Sequence, residues 1–410
     1  MSHIYTGLDI GNGEIKLVVV NANQDKCYIL AATSVKTEGL SKNQITDAKK
    51  LKTSIIKAVK QTEEKLSIKI KEVILTLPSL GANMTIETGL TNIKDEKVTG
   101  EDISNAFKDT VLDSYDNDRE LVSCLPISFT VDDDRSVTDP LHMEGEKLFL
   151  KAVVATSLKE DIYPFINIAR SAGLNIVDII YNTQADYYTS STKDLDRKMG
   201  AIINIGKDIT SVGIFNKGIM IKNSCFKVGS GSVDKDIVFI YKVSLKVAAN
   251  LKEEFALASK RCADNNDEII VTNTNNKKIT INQVQISEVI ESRLKEILKL
   301  AKNEINRLTK REISYIIVVG GISELAGFSY VVDEILGRNA SCLNIKELGA
   351  RHNKYTSAIG SCIYFNKKSL LREKDNNMIS KEEFDTLVSP KKNTSNEIII
   401  NKFFGHFFDN

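Results

Sequence analysis

Two glycine turns carry the residue types that bind phosphate. The first is Asp9-Ile10-Gly11-Asn12-Gly13, which follows an apolar run. Its glycines permit positive φ angles and leave room for a phosphate to reach backbone N–H groups. A carboxylate at Asp9 suits Mg²⁺, which prefers oxygen ligands and retains water molecules. Taken alone, this pattern is better explained by an ordinary β-hairpin with a glycine turn.

The first turn has a second copy. The run LDIGNGEIKLVVV begins at Leu8 and INIGKDITSVGIF begins at Ile203, an offset of 203 − 8 = 195 residues. A third element, Gly320-Gly321, follows the apolar run that starts at Tyr315. Such repetition favours two similar α/β halves that face one another, with the glycine turns between them.

The rest of the chain predicts the elements that position these turns. Apolar residues at spacings of three and four predict helices, and short apolar runs predict strands. Residues 84–157, with short β-like runs and acidic turns, are typical of an inserted domain. The chain after about Asn366 is polar and predicts a linker. The predicted elements are a helix over Leu51–Leu66, a strand over Glu72–Pro78, a strand over Leu148–Val154 that returns to the first half, a helix over Tyr163–Leu174, a strand over 175–180, a helix over Val284–Leu308, and a strand from Tyr315 that leads through Gly320-Gly321 into a helix.

Composition restricts the class of protein. The chain has 410 residues, 42% hydrophobic and 27% charged, which argues against disorder, fibres and a multi-span membrane protein. Its net charge of +1 gives no overall field that would attract nucleic acid. The six cysteines are dispersed along the chain, so the sequence predicts neither a zinc site nor a disulfide framework. Free cysteines are typical of a protein in a reducing cytoplasm. The sequence predicts no signal peptide and no transmembrane helix.

The tail EIIINKFFGHFFDN has a composition unlike the rest of the chain. As a helix over residues 396–410 it has one apolar face and one polar face, a pattern typical of a helix that lies in a membrane interface. Docking of the phenylalanines onto the globular body is the alternative. The predicted membrane-binding residues are Ile400, Phe403, Phe404, Phe407 and Phe408.

The two hairpins and the strand-Gly-Gly element, in this order, resemble the ATPase superfamily of actin, heat-shock chaperones and sugar kinases. Several longer stretches are similar to the FtsA family of actin-like bacterial cell-division proteins. The stretches are PISFTVDDDRSVTDPLHMEGEKL (Pro126–Leu148), VIESRLKEIL (Val289–Leu298), VVGGISELAGF (Val318–Phe328) and KYTSAIG (Lys354–Gly360). The first is the most specific, because it belongs to the inserted subdomain that distinguishes this family.

The resemblance implies an actin-like two-lobed α/β fold that binds ATP and Mg²⁺ between its lobes. Asp9 and Asn204 would hold Mg²⁺ through water, and Gly320-Gly321 would contact the adenosine. The residues that the resemblance places around the nucleotide are Asp9, Gly11, Asn12, Gly13, Lys16, Gly206, Lys207, Thr210, Gly229, Ser230, Lys252, Arg293, Gly320 and Gly321.

Departures from the family pattern concern hydrolysis. Asn204 stands where the second hairpin usually begins with Asp, and Asn182-Thr183 stands where many members have Glu-Pro. Ala249 falls where an acidic ribose contact is common. Gln184 and Asn182 are the candidate catalytic residues, since either amide can orient a water molecule. Nucleotide binding is therefore expected, with slow or negligible turnover.

The resemblance implies that the chain would anchor FtsZ to the cytoplasmic face of the bacterial membrane at the division site, as a peripheral protein. The FtsZ C-terminal tail would dock on residues 233–309, and copies would polymerise head to tail and recruit other division proteins. The expected regions are a first lobe (1–83, 158–187 and 345–366), the inserted subdomain (84–157), a second lobe (188–232 and 310–344), its subdomain (233–309), a flexible linker (367–395) and the membrane-binding helix (396–410).

Two alternatives remain on sequence grounds. A PilM-like actin-like protein of pilus assembly would have similar lobes but is not expected to carry the membrane helix. A metabolic kinase of the same superfamily would need an acidic catalytic base, and the inserted subdomain argues against it.

Overall fold

The computed structural model describes residues 2–23, 26–132, 136–345 and 349–388, which form two α/β lobes and a small inserted domain. The predicted membrane-binding helix of residues 396–410, with Ile400, Phe403, Phe404, Phe407 and Phe408, lies outside these described residues. Among the helices within the described ranges, none has the length and apolarity needed to cross a bilayer.

The first lobe is built on a five-stranded sheet. Its early elements are β1 (Ser2–Ile10), β2 (Glu14–Asn23), β3 (Lys26–Lys36), the short pair β4 (Leu40–Ser41) and β5 (Gln44–Ile45), α1 (Ala48–Leu66) and β6 (Glu72–Leu77). β1, β2 and β3 form an antiparallel meander, and β6 runs parallel to β1. The Asp47 carboxylate caps α1 by accepting a hydrogen bond from the Lys50 amide.

The inserted domain has its own three-stranded sheet and small core. Its elements are β7 (Asn83–Asn92), α2 (Gly100–Val111), β8 (Arg119–Val131) and β9 (Lys147–Leu158), with strand order β7-β9-β8. The sequence assigned the strand near Leu148–Val154 to the first half, which is wrong: β9 is the central strand of the inserted sheet. Alternating apolar residues identify a strand but do not say which sheet it joins.

The chain then completes the first sheet through α3 (Lys159–Ser171) and β10 (Asn175–Tyr181), followed by α4 (Asn182–Ser190). β10 pairs in parallel with β6, which gives the order β10-β6-β1-β2-β3. The α3 helix begins four residues before the predicted Tyr163 and includes Pro164 in its interior, where the missing N–H leaves one helical hydrogen bond unmade.

The second lobe repeats the arrangement of the first. Its elements are β11 (Met199–Ile205), β12 (Thr210–Asn216), β13 (Ile219–Phe226), α5 (Gly231–Tyr241), α6 (Leu245–Asn250), β14 (Glu268–Thr272), β15 (Lys278–Asn282), α7 (Gln283–Leu308), β16 (Tyr315–Val319), α8 (Phe328–Leu336) and β17 (Ala340–Cys342). The sheet order is β13-β12-β11-β16-β17. Here too an antiparallel meander is followed by two parallel strands, so the two similar halves predicted from the repeated turns are confirmed.

Residues 233–309 do not form a separate core. Ile237 of α5 and Ile290 and Leu294 of α7 belong to the same buried cluster as Ile203 and Val212 of the sheet. The predicted helix over 284–308 is confirmed as α7, whose first amides are capped by the Asn282 side chain. After β16 the chain makes a 3₁₀ turn over Gly321–Glu324 before α8, so the helix begins later than predicted.

The predicted linker over 367–395 is wrong for residues 367–388. The helix α9 (Thr356–Leu371) continues past Asn366, and a further helix α10 (Lys381–Val388) follows. Met378, Ile379 and Leu387 are buried in the first-lobe core, and the Ile4 amide donates to Asn377 Oδ1 at 3.0 Å. A few apolar residues in a polar segment are enough for docking, although the average composition hides them.

Candidate functional site

A cleft of about 880 Å³ lies between the two lobes and is lined by both glycine turns. The turns have the same geometry, because the Gly11 amide donates to the Glu14 carbonyl at 3.2 Å and the Gly206 amide donates to the Ile209 carbonyl at 2.9 Å. They face each other closely: a Cβ on Gly13 would lie 3.4 Å from the Cβ of Lys207. Equivalent strand ends of two similar sheets therefore present backbone to one space.

An ion pair occupies the first-lobe side of the cleft. Lys16 Nζ lies 2.9 Å from Asp9 Oδ2, and both side chains are largely shielded from solvent. The two residues are register partners on β1 and β2, which fixes their side chains on the same face. A cation and a carboxylate are thus held side by side next to the glycine turn.

A polar network lies at the inner end of the cleft. Asn204 Nδ2 donates to Asp186 Oδ2 at 2.6 Å, and Ser357 Oγ donates to Asp186 Oδ1 at 2.7 Å. Asn204 and Ser357 line the cleft, whereas Asp186 is fully buried behind them. Burial raises the pKa of Asp186 to about 7, against the lowering effect of its two hydrogen bonds.

The second-lobe side combines glycine backbone with a buried ion pair. Lys252 Nζ lies 2.7 Å from Asp234 Oδ1, and both residues line the cleft. Gly320 adopts φ +107°, and a Cβ there would lie 2.3 Å from the Ile205 carbonyl oxygen, so only glycine lets β16 turn this closely past β11. Burial lowers the pKa of His352, which also lines the cleft.

The β4–β5 hairpin bridges the lobes at the cleft. The Lys42 amide donates to Asp208 Oδ2 of the second lobe at 3.0 Å, and the Asn43 amide donates to Asn12 Oδ1 at 2.9 Å. Lys42 and Asn43 both have positive φ angles, which the tight turn requires. The Asn12 side chain is therefore committed to holding this hairpin.

The structure brings most of the residues named from the sequence together in the cleft. Those that line it are Asp9, Gly11, Asn12, Gly13, Lys16, Asn182, Asn204, Gly206, Lys207, Ser230, Lys252, Gly320 and Gly321. The cleft thus collects residues from distant parts of both lobes.

Three of the named nucleotide residues lie outside this lining. Thr210 is buried and its hydroxyl donates to the Val228 carbonyl at 2.8 Å. Gly229 packs behind the second turn, where a Cβ would lie 2.4 Å from the Gly206 carbonyl oxygen. Arg293 on α7 pairs with Asp236 at 2.6 Å and with Glu296. The resemblance placed these residues around the nucleotide, but the side chains of Thr210 and Arg293 are held by other partners and Gly229 is covered by the second turn.

Only one of the two candidate catalytic residues, Asn182, lies at the cleft. Asn182 lines the cleft, with Nδ2 3.4 Å from Ser211 Oγ and Oδ1 accepting from the Thr183 amide at 2.7 Å. Gln184 is buried and its Oε1 accepts from Ser123 Oγ of the inserted domain at 2.9 Å. Residues two apart on a helix point in different directions, so the structure does not bring Gln184 to the cleft.

Sequence reasoning missed several polar residues at the cleft. Asn43, Glu253, His352, Lys354 and Ser357 line it, and Asp186 supports it from behind. Ser357 lies within KYTSAIG, so the motif itself contained a usable signal. Asp186 follows Asn182 by four residues and thus shares a helix face with it, which was the other available signal.

Two family models match the chain. The model described as "Cell division protein FtsA" matches residues 201–360, and the model described as "SHS2 domain inserted in FTSA" matches residues 82–156. Together they span more than half of the chain. The second match coincides closely with the inserted domain from β7 to β9.

Curated relatives extend the match along most of the chain. "Cell division protein FtsA" of Bacillus subtilis (strain 168) is 25% identical over 365 residues, which are 88% of this chain and 82% of that protein. The protein of the same name from Enterococcus hirae is 27% identical over 366 residues, 88% of this chain and 83% of that protein.

Solved structures share the fold at lower identity. A chain of the "PilM-PilN type IV pilus biogenesis complex" superposes with a TM-score of 0.60 at 16% identity and covers 88% of this chain and 98% of that chain. MreB5 of Spiroplasma citri bound to ADP superposes with a TM-score of 0.52 at 14% identity and covers 90% of this chain and 98% of that chain. The two-lobed actin-like fold predicted from the sequence is thereby confirmed.

Proposed function

The chain belongs to the FtsA family of actin-like cell division proteins, and we propose that its cleft binds ATP with Mg²⁺ to control assembly at the membrane. The observation that carries this proposal is the pair of glycine turns, which project from equivalent strand ends and face each other across the cleft. Phosphates bind where glycine backbone amides converge. The MreB5 neighbour, whose structure contains ADP, has the same fold.

The cleft residues fit a nucleotide and its metal. Lys16 and Lys207 supply positive charge beside the two turns, and Gly320-Gly321 leave open backbone for the adenosine. Asp9 offers a carboxylate, and the amide oxygen of Asn204 faces the cleft because its nitrogen is committed to Asp186. Oxygen ligands with few protein contacts suit a hydrated Mg²⁺, which when bound would neutralise phosphate charge. We infer slow turnover, because Asn182 is uncharged and Gln184 points away.

A Gly11→Val variant tests the nucleotide site. A Cβ at Gly11 would lie 2.9 Å from both Lys16 Nζ and the Glu14 carbonyl oxygen, so a branched side chain displaces the ion pair and fills the turn. We expect the Kd for ATP, measured by fluorescence titration, to rise by at least about tenfold. Unchanged affinity would refute the phosphate assignment.

Gly173→Ala serves as the control for loss of a glycine. Gly173 has φ +91°, a Cβ added there would meet no described atom within 4 Å, and the residue lies outside the cleft lining. The alanine variant should lose about 1 kcal/mol of stability through backbone strain and keep the wild-type Kd for ATP.

We assign partner binding to residues 233–309. Phe239 and Ile240 on α5 and Leu245 at the start of α6 are exposed, and Phe239 is 73% exposed. Lys242 Nζ lies 4.3 Å from the Phe239 ring centre, so the surface combines aromatic and cationic character. Exposed apolar groups of this size mark interaction surfaces, and the FtsZ C-terminal tail is the proposed occupant.

A Phe239→Ala variant tests this assignment. Aromatic residues dominate the binding energy of many interfaces, and truncation of one typically costs about 2 kcal/mol. Affinity for a synthetic FtsZ tail peptide, measured by fluorescence anisotropy, should therefore fall by more than about tenfold. The matched control is Leu112→Ala in the inserted domain, which is similarly exposed. If the two variants bind the peptide with equal affinity, the assignment of partner binding to this surface is wrong.

Assembly and anchoring use other parts of the molecule. β7 is an edge strand of the inserted sheet and carries exposed Ile86 and Leu90, which suits a head-to-tail contact between copies.

The membrane-binding helix of 396–410 would attach the filament to the cytoplasmic face of the membrane. Seven residues (395 − 388 = 7) lie between α10 and that helix. A connection of this length reaches at most about 25 Å. Because α10 packs on the first lobe, that lobe would face the membrane.

The alternatives have less support. The pilus-assembly protein shares the fold at 16% identity, which supports architecture alone. The match to the SHS2 domain inserted in FtsA favours cell division over a metabolic kinase.

A further inference from the structure

The metal end of the cleft contains a buried carboxylate that the sequence did not identify. Asp186 projects from α4 and is wholly inaccessible to solvent, yet it contacts residues from two other elements. Its partners are Asn204 on β11 and Ser357 on α9, at 2.6 Å and 2.7 Å. Both partners line the cleft, so Asp186 lies directly behind the surface that a ligand meets.

The direction of these hydrogen bonds fixes Asn204. A carboxylate accepts hydrogen bonds, so the atom of Asn204 that faces Asp186 must be the amide nitrogen. The same nitrogen lies 3.2 Å from Ser357 Oγ. With Nδ2 held on the buried side, the carbonyl oxygen of Asn204 is the atom available to the cleft. Without Asp186 the nitrogen of Asn204 would keep only the longer hydrogen bond to Ser357 Oγ, and the amide could present either end to the cleft.

The charge of Asp186 also reaches the cleft. Its strongest charged neighbours are Asp9 and Lys16, the ion pair beside the first glycine turn. Burial has the largest effect on the pKa of Asp186 and raises it, whereas the two hydrogen-bond donors and the ammonium of Lys16 lower it. Asp9 on β1 and Asp186 on α4 therefore approach the same end of the cleft, one at its surface and one behind it.

We propose that Asp186 is a positioning residue that turns the oxygen of Asn204 toward the metal and supplies, from behind, the negative charge that asparagine lacks. This inference rests on the proposed nucleotide function and deepens it. It makes Asn204 and Asp186 one functional unit, in which a neutral ligand and a buried charge together replace a single carboxylate.

An Asp186→Asn variant removes the charge and keeps the shape. Its amide oxygen accepts from Asn204 and its nitrogen donates to Ser357, so the packing of α4 against α9 is preserved. Urea unfolding should show a midpoint no lower than that of the wild type. In mildly alkaline buffer, the Kd for ATP in Mg²⁺ should rise by about tenfold or more, whereas the Kd in EDTA should change much less.

The double variant Asp186→Asn with Asn204→Asp moves the charge to the strand end. It should recover most of the Mg²⁺-dependent affinity, because a carboxylate again faces the metal. A loss of equal size in Mg²⁺ and EDTA would indicate a purely structural role and overturn the inference. Wild-type affinity of Asp186→Asn in Mg²⁺ would overturn it too. Failure of the wild-type protein to bind ATP in either buffer would instead remove the proposed function, and this inference with it.

Discussion

Replacement of Gly360 by alanine should lower the free energy of unfolding by about 3 kcal/mol or more. Gly360 lies in α9 where this helix crosses α4 at very short range. A Cβ there would lie 1.7 Å from the Ala185 carbonyl oxygen and 2.4 Å from its carbon, which are backbone atoms that cannot rotate away. In a solvent-exposed helix the same substitution would raise the free energy of unfolding by about 1 kcal/mol. A decrease would therefore show that α9 packs closely against α4 at this position.

The measurement is the midpoint of urea denaturation without nucleotide, followed by circular dichroism. Gly321→Ala is the matched control, because the nearest atom to a Cβ at that position is 3.9 Å away. That variant should unfold at the wild-type midpoint. A Gly360→Ala protein as stable as the control would show that α4 and α9 do not pack as described. Because Asp186 and Ser357 meet across the same contact, the substitution also separates the hydrogen-bonded pair behind the cleft.

Removal of residues 398–410 should abolish flotation with liposomes and leave ATP binding unchanged. Burial of five large apolar side chains contributes about 10 kcal/mol gross at about 2 kcal/mol each. Partial immersion, the helix-weakening Gly405 and the ordering of a short helix reduce this to a few kcal/mol for one copy. In the proposed filament, effective concentration would multiply the weak single contact, so flotation should depend on protein concentration.

A pair of point variants separates insertion from charge. Phe407→Glu places a carboxylate on the predicted apolar face, and His406→Glu places one on the polar face. The first should prevent flotation, whereas the second should retain it. Lys402 is the only lysine or arginine in residues 396–410, so neutral phosphatidylcholine vesicles should suffice for binding. Equal behaviour of the two glutamate variants, or flotation that survives the deletion, would contradict the anchor proposal.

Much of the cleft could be predicted from the sequence because the groups proposed to bind phosphate are backbone amides. A glycine turn after an apolar strand has the same shape wherever it occurs, so Gly11 and Gly206 were found by their repetition alone. The positions of side chains were harder to predict from the sequence than those of the backbone. Gln184 and Arg293 were named from spacing, but spacing along a helix does not say which of several neighbouring elements the side chain meets.

The C-terminal region shows the same limit. Average polarity predicted a linker from residue 367, although Met378, Ile379 and Leu387 bury themselves on the first lobe. Burial of single residues depends on the shape of a distant surface, which composition cannot represent.

The sequence by itself determined the two similar halves, the inserted domain and the family to which the chain belongs, because repeats and motifs are local patterns. Only the tertiary structure decided that Asp186 stands behind Asn204. That contact joins α4, β11 and α9, whose residues are far apart along the chain, and it exists because Gly360 lets two helices touch. The chemistry of a buried charge depends on neighbours that only folding brings together.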